Sequence, residues 1–131
     1  MPRPPASVPT DVELSILNVL WQRGRGGATV REIHNALSDR RDTGYSTTLK
    51  MVQVMTEKGL VLKDESVRPQ VYRPSAAQEK TQLQLLDDLI QRGFGGSAAK
   101  LVLRAVAAKR ISGAELAEIK KLLAQAREDK R

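Results

Sequence analysis

Apolar residues return at helical spacing in six stretches of this chain, and one short segment between the third and the fourth breaks that period. Val12, Ile16, Leu17, Val19 and Leu20 make a broad apolar face over about Asp11 to Gln22. Val30, Ile33 and Leu37 predict a shorter helix over about Val30 to Leu37. After Ser38 to Gly44, a third helix spans about Ser46 to Lys58: Thr48, Val52 and Met55 turn inward, Ser46 is the N-cap and Gly59 a left-handed C-cap. Leu60-Val61-Leu62-Lys63 and Gln70-Val71-Tyr72-Arg73 then read as strands around Asp64 to Pro69, a hairpin. Beyond Pro74 the helical period resumes, with Ser75 capping a helix that reaches about Arg92 and carries Leu83, Leu86, Leu89 and Ile90. Gly93-Phe94-Gly95-Gly96 interrupts it. Ser97 caps the next, Ala98 to Lys109, with Leu101, Val102, Ala105 and Val106; the last, Ala114 to about Glu128, carries Leu116, Ile119, Leu123 and Ala126.

Three helix entrances repeat one arrangement. Thr10 with Glu13, Thr29 with Glu32 and Ser112 with Glu115 each set a hydroxyl three residues before a glutamate, so that each side chain satisfies an orphan amide of the first turn. The order helix, helix, helix, hairpin predicts a mainly α fold with a small β-hairpin, an N-terminal winged helix-turn-helix followed by three more helices. The expected organisation is a disordered tail at 1–8, a winged-helix DNA-binding domain at 9–74 and a helical dimerisation domain at 75–131. The last three helices carry one apolar stripe each, too little for a core of their own, so a second chain is expected to cover them. Leu83, Leu86, Ile90, Phe94, Leu101, Val102, Leu116, Ile119 and Leu123 are the expected interface.

Charge adds a weak pointer. The net charge is +7, which favours phosphate through counterion release. It is spread evenly, with eleven Lys and Arg against eight Asp and Glu in residues 1–74 and eleven against seven in 75–131, so it does not locate a binding face. There is no cysteine, which excludes disulfides, thiolate metal sites and a cysteine nucleophile. Neither a signal-like apolar run nor a spanning segment is present in the sequence, and a cytoplasmic protein with no membrane insertion is expected.

Helix geometry nominates the residues that would meet a nucleic acid. With Thr48, Val52 and Met55 inside, the outer face of the third helix presents Thr47, Lys50, Met51 and Val54. Ser46 and Thr47, with the amides of the helix N-terminus, suit a phosphate; Lys50 suits a guanine edge and Met51 a thymine methyl. Arg68 at the hairpin tip is expected near phosphate or the minor groove, and Thr29 and Arg31 at the second helix entrance near the backbone. Arg40 and Arg41 precede the third helix but are flanked by Asp39 and Asp42.

The segments PTDVELSILNVLW, TVREIHNAL, YSTTLKMVQVMTEKGLV, VYRP, FGGSAAKLVLRAV and ISGAELAEIKKLL follow one another over residues 9–124. In that order and spacing they resemble the penicillinase-repressor (BlaI/MecI) family of winged-helix transcriptional repressors. The resemblance implies a homodimer on a palindromic double-stranded operator and repression of a resistance or stress-response operon. It also implies a membrane metallopeptidase sensor as a partner that leads to repressor cleavage, and a DNA-facing role for Tyr45, the aromatic before the third helix. Three features depart from the pattern. Arg104-Ala105 stands where cleaved relatives have Asn-Phe, Val54 stands where the family has arginine, and the cysteines of the copper-responsive branch are missing.

Nothing points to catalysis. His34 has no second histidine or cysteine for a metal and reads as a helix-surface residue. Asp87 and Asp88, adjacent on a helix, diverge by about 100 degrees. The segments GRGG and GFGG lack the strand and lysine of a phosphate loop. Trp21 reads as core. No enzyme activity and no cofactor are expected. The alternative to a DNA-binding repressor is a winged helix that docks a protein through the methionine- and valine-bearing face of its third helix.

Overall fold

The computed structural model describes residues 8–38 and 43–129. Its elements are α1 (Asp11–Arg23), a 3₁₀ turn at Gly24–Gly26, α2 (Val30–Ser38), α3 (Tyr45–Lys58), β1 (Val61–Asp64), β2 (Val71–Pro74), α4 (Gln78–Gly93), α5 (Ala98–Ala107) and α6 (Gly113–Asp129). Mostly helical with one antiparallel hairpin, this is a winged helix followed by three C-terminal helices. The expected residues Arg40 and Arg41, and the tail before Val8, lie outside the described residues. No helix among the described residues is long and apolar enough to cross a membrane.

Two compact units form, Met1–Leu86 and Asp87–Arg131. In the first, Ile16, Leu17 and Leu20 of α1 meet Val30, Ile33 and Leu37 of α2, Val52 and Met55 of α3, Val61 of β1 and Tyr72 of β2. All of them are buried, so the apolar faces of three helices close over one sheet face.

Strand register pairs Val61 with Pro74, Leu62 with Arg73, Lys63 with Tyr72 and Asp64 with Val71. Both strands begin one residue later than the sequence pattern predicts. The cause is the end of α3: Gly59, left-handed at φ 80°, donates its amide to Thr56 and Leu60 donates to Met55, so Leu60 belongs to the helix stop. A third, one-residue strand joins the hairpin. Ala28 donates to the Tyr72 carbonyl at 3.0 Å and accepts the Tyr72 amide at 2.8 Å, which ties the segment before α2 to the wing. Gly27 makes this approach possible, because at φ 70° a Cβ there would lie 2.7 Å from the Tyr72 carbonyl oxygen.

Two predicted caps are corrected. Ser75 does not start a helix: its hydroxyl donates to the Gly59 carbonyl at 2.6 Å and its amide to Leu60 at 3.0 Å, extending the sheet instead. α4 begins only at Gln78, with the Ala77 carbonyl accepting the Lys80 and Thr81 amides. Ser46 lies inside α3, whose N-cap is Gly44 in an extended conformation. The three hydroxyl-glutamate boxes all form, each with its two reciprocal bonds of 2.9 to 3.2 Å. Ser97 accepts the Lys100 amide at 3.1 Å, as expected.

Within the second unit, α5 and α6 bury no residue at all. Val102 is 46% exposed and Leu123 61%, and Leu103 and Leu122, absent from the predicted interface, are 68% and 63% exposed. Phe94, Leu101, Leu116 and Ile119 are half-buried, as is Ile90 on α4, whereas Leu83 and Leu86 on α4 are exposed.

Candidate nucleic-acid interface

α3 is held in place from three sides. Thr48, Val52 and Met55 are its buried face, as the period predicts. Lys58 at its C-terminal end reaches Oε2 of Glu13 at 2.6 Å, closing a pair between α3 and α1. Tyr45 at its N-terminal end packs partly on the core, with the Arg31 guanidinium 4.1 Å above its ring centroid.

The outward face is rotated from the one expected. Ser46, Thr47, Lys50 and Gln53 are exposed, whereas Met51 and Val54 are half-buried and Met51 packs against the core. Gln53 is thus more open than Met51, and the face read from the sequence did not include it. The signal was present: residues 46, 50, 53 and 57 step along one stripe at helical intervals, and all four are exposed.

The structure brings four predicted residues around one cleft. Thr29, Arg31, Tyr45 and Arg68 line a depression of about 350 Å³ between the α2 entrance, the start of α3 and the wing, together with Leu49, Pro69, Gln70 and Tyr72. Ser46, Thr47 and Lys50 stand apart from it on the exposed side of α3. Thr29 is a cap, accepting the Glu32 amide at 3.1 Å while Glu32 accepts its own at 2.9 Å. The Thr29 amide first, helped by the nearby Arg23 guanidinium, holds the Glu32 carboxyl below its ordinary value against the opposing effect of burial.

Charge is distributed to leave the cleft basic. Arg73 is occupied, donating to the Arg25 carbonyl at 2.7 Å and to Asp64 at 3.1 Å, and Lys63 pairs with Glu65. Among the described residues Arg31, Lys50 and Arg68 join no ion pair. Asp64 braces the wing, accepting the Ser66 amide at 2.9 Å and pairing with Arg73. The Ser66 bonds, then Arg73, hold its carboxyl below the usual aspartate range.

His34 departs from the expected surface histidine. It is half-buried, with Nδ1 3.1 Å from Oγ1 of Thr48 and its ring meeting Tyr45 at 83° with centroids 5.7 Å apart. Trp21 is half-buried and donates through Nε1 to the Ala76 carbonyl at 3.1 Å.

A winged helix with an exposed polar face on its third helix and a basic cleft beside it is an architecture suited to a transcriptional regulator. The model of the family described as "Penicillinase repressor" matches residues 9–125. The "Transcriptional regulator BlaI" of Mycobacterium tuberculosis, in strain H37Rv and in strain CDC 1551 / Oshkosh, is 31% identical over 116 residues, covering 88% of this chain and 82% of the relative. The chain belongs to the penicillinase repressor family, as the resemblance of its segments implied.

Proposed function

We propose that this repressor binds DNA as a homodimer on a palindromic operator, reading with residues 9–74 and pairing through residues 75–131. The observation that carries the reading is the cleft at the start of α3, where Thr29, Arg31, Tyr45 and Arg68 converge without a described carboxylate partner for either arginine. A phosphate suits such a seat: Arg31 is held over the Tyr45 ring without an ion-pair partner, and Arg68 lines the same cleft from the wing. Beside it, the uncapped N-terminus of α3 offers backbone amides, with Ser46 and Thr47 hydroxyls adjacent. Lys50 suits a guanine edge and Gln53 an adenine.

One such unit reads few base pairs, and two on a common axis meet half-sites about 34–36 Å apart. Pairing is supported by the exposed leucines and valines of α5 and α6, which nothing within the second unit covers. The reading extends to a resistance or stress-response operon and to relief of repression by a membrane metallopeptidase sensor. Cleavage at the family's usual bond is not part of it, because α5 carries Arg104-Ala105 there. The protein-docking alternative loses its footing, since Met51 and Val54, the residues that suggested it, are half-buried.

The test is a titration of duplex DNA from upstream of the protein's own gene at several salt concentrations. Lys50→Ala and Arg68→Ala are each expected to weaken binding, and Arg68→Ala to lower the salt slope by about one. Affinity independent of salt and of both substitutions would refute DNA binding by this face.

A further inference from the structure

Gly44 has no side chain with which to cap α3, and the first turn of that helix is held from the inside. The Gly44 carbonyl oxygen accepts the Thr48 amide at 3.2 Å and lies 3.4 Å from the Thr48 hydroxyl. That hydroxyl oxygen is in turn 3.1 Å from Nδ1 of His34, across the junction between α2 and α3. Thr48 is only 2% exposed, so its hydroxyl has no ready exchange with water. A hydroxyl has one proton to give. Directed at the Gly44 carbonyl, it leaves the Thr48 oxygen as an acceptor, and Nδ1 of His34 must carry the hydrogen between them.

The other contacts of His34 lead to the same turn. Its ring meets Tyr45, the first residue of α3, edge to face, and Tyr45 carries the Arg31 guanidinium over its own ring. One imidazole thus touches both the buried residue that fixes the first turn and the aromatic that orients the cleft arginine. The guanidinium of Arg31 lies over this stack, and Arg31 belongs to α2 like His34 itself.

We propose that His34, the sole histidine of the chain, is a positioning residue for operator recognition. Through Thr48 it sets the first turn of the reading helix, and through Tyr45 it holds Arg31 over the ring. His34 itself touches no DNA. The proposal rests on the DNA-binding reading above, and its test separates the two.

Operator and unrelated duplexes of equal length are titrated with the full chain and with His34→Ala, His34→Asn and His34→Gln. An amide at the Asn position reaches where Nδ1 stands; a Gln amide overshoots to the position of Nε2. His34→Ala is expected to bind the operator about fivefold more weakly, the size of one lost internal hydrogen bond, with a smaller loss on unrelated duplex and the salt slope unchanged because no charge is removed. His34→Asn is expected to restore most of the loss and His34→Gln little of it. If the wild-type chain shows no preference for the operator, the DNA reading fails, and this proposal with it. If that preference exists and His34→Ala retains it in full, or His34→Gln restores it as well as His34→Asn, the positioning role alone is refuted. Nitrogen NMR of the wild-type chain needs no variant to fold: its single imidazole is expected in the Nδ1–H form, and the Nε2–H form would overturn the assignment.

Discussion

Glu13 is bound on both carboxylate oxygens. Oε1 accepts the Thr10 amide at 2.9 Å, Oε2 accepts the Lys58 ammonium at 2.6 Å, and the residue is 2% exposed. Burial alone raises the pKa of such a carboxyl, yet the Lys58 and Thr10 bonds together outweigh it and hold the value below the ordinary glutamate range. A lowered pKa in the folded chain means stability that is present above the unfolded glutamate value and is lost as pH falls through the folded one. Lys58→Met would strand this charge. It is expected to lower unfolding free energy at neutral pH by about 3 kcal/mol, read from urea titrations. The gap between variant and wild type is expected to narrow as acid protonates Glu13; a gap that is constant with pH would mean the pair does not carry the effect. Thr10 and Glu13 were legible as a cap from their spacing, but Lys58 was not, because 45 residues separate the two partners.

At the scale of elements, two glycines share a positive φ but differ in ψ, 17° at Gly59 and −168° at Gly27, and have different reasons to exist. Gly59 ends α3 at φ 80° with open space around it, whereas Gly27 at φ 70° sits against the Tyr72 carbonyl. Gly59→Ala is expected to cost about 1 kcal/mol of left-handed strain. Gly27→Ala adds a collision with backbone and is expected to cost roughly 3 kcal/mol, with the urea slope unchanged. Equal losses at the two positions would show that the bridge between Ala28 and Tyr72 yields to the added methyl. Helix entrances divide in a similar way. A hydroxyl paired with a glutamate three residues on makes two reciprocal bonds, and all three such pairs formed. A lone serine has other offers: Ser97 capped α5, but Ser75 was drawn to the Gly59 carbonyl and Ser46 was bypassed for Gly44.

For the whole molecule, the proposed pairing of two reading units rests on the C-terminal helices. Leu123 is 61% exposed, so Leu123→Glu disturbs little within a single chain and strikes at the proposed chain-to-chain contact. Light scattering is expected to give the wild type twice the 14.4 kDa chain mass and the variant one chain mass. Binding to a full palindrome is expected to fall on the substitution, while binding to an isolated half-site stays the same. Two monomers would remove the basis for pairing through residues 75–131.

The sequence by itself determined the order of helices and hairpin, their caps where two bonds agree, the buried face of α3 and the family. These depend on residues a few positions apart, whose geometry is set by the backbone before the chain closes on itself. The tertiary structure alone decided that Met51 packs against the core, that Ala28 adds a strand to the wing, and that His34 is bonded to Thr48 instead of to water. Each of those depends on where a second element comes to rest, and the side-chain period of one helix carries no record of what will pack against its flanks.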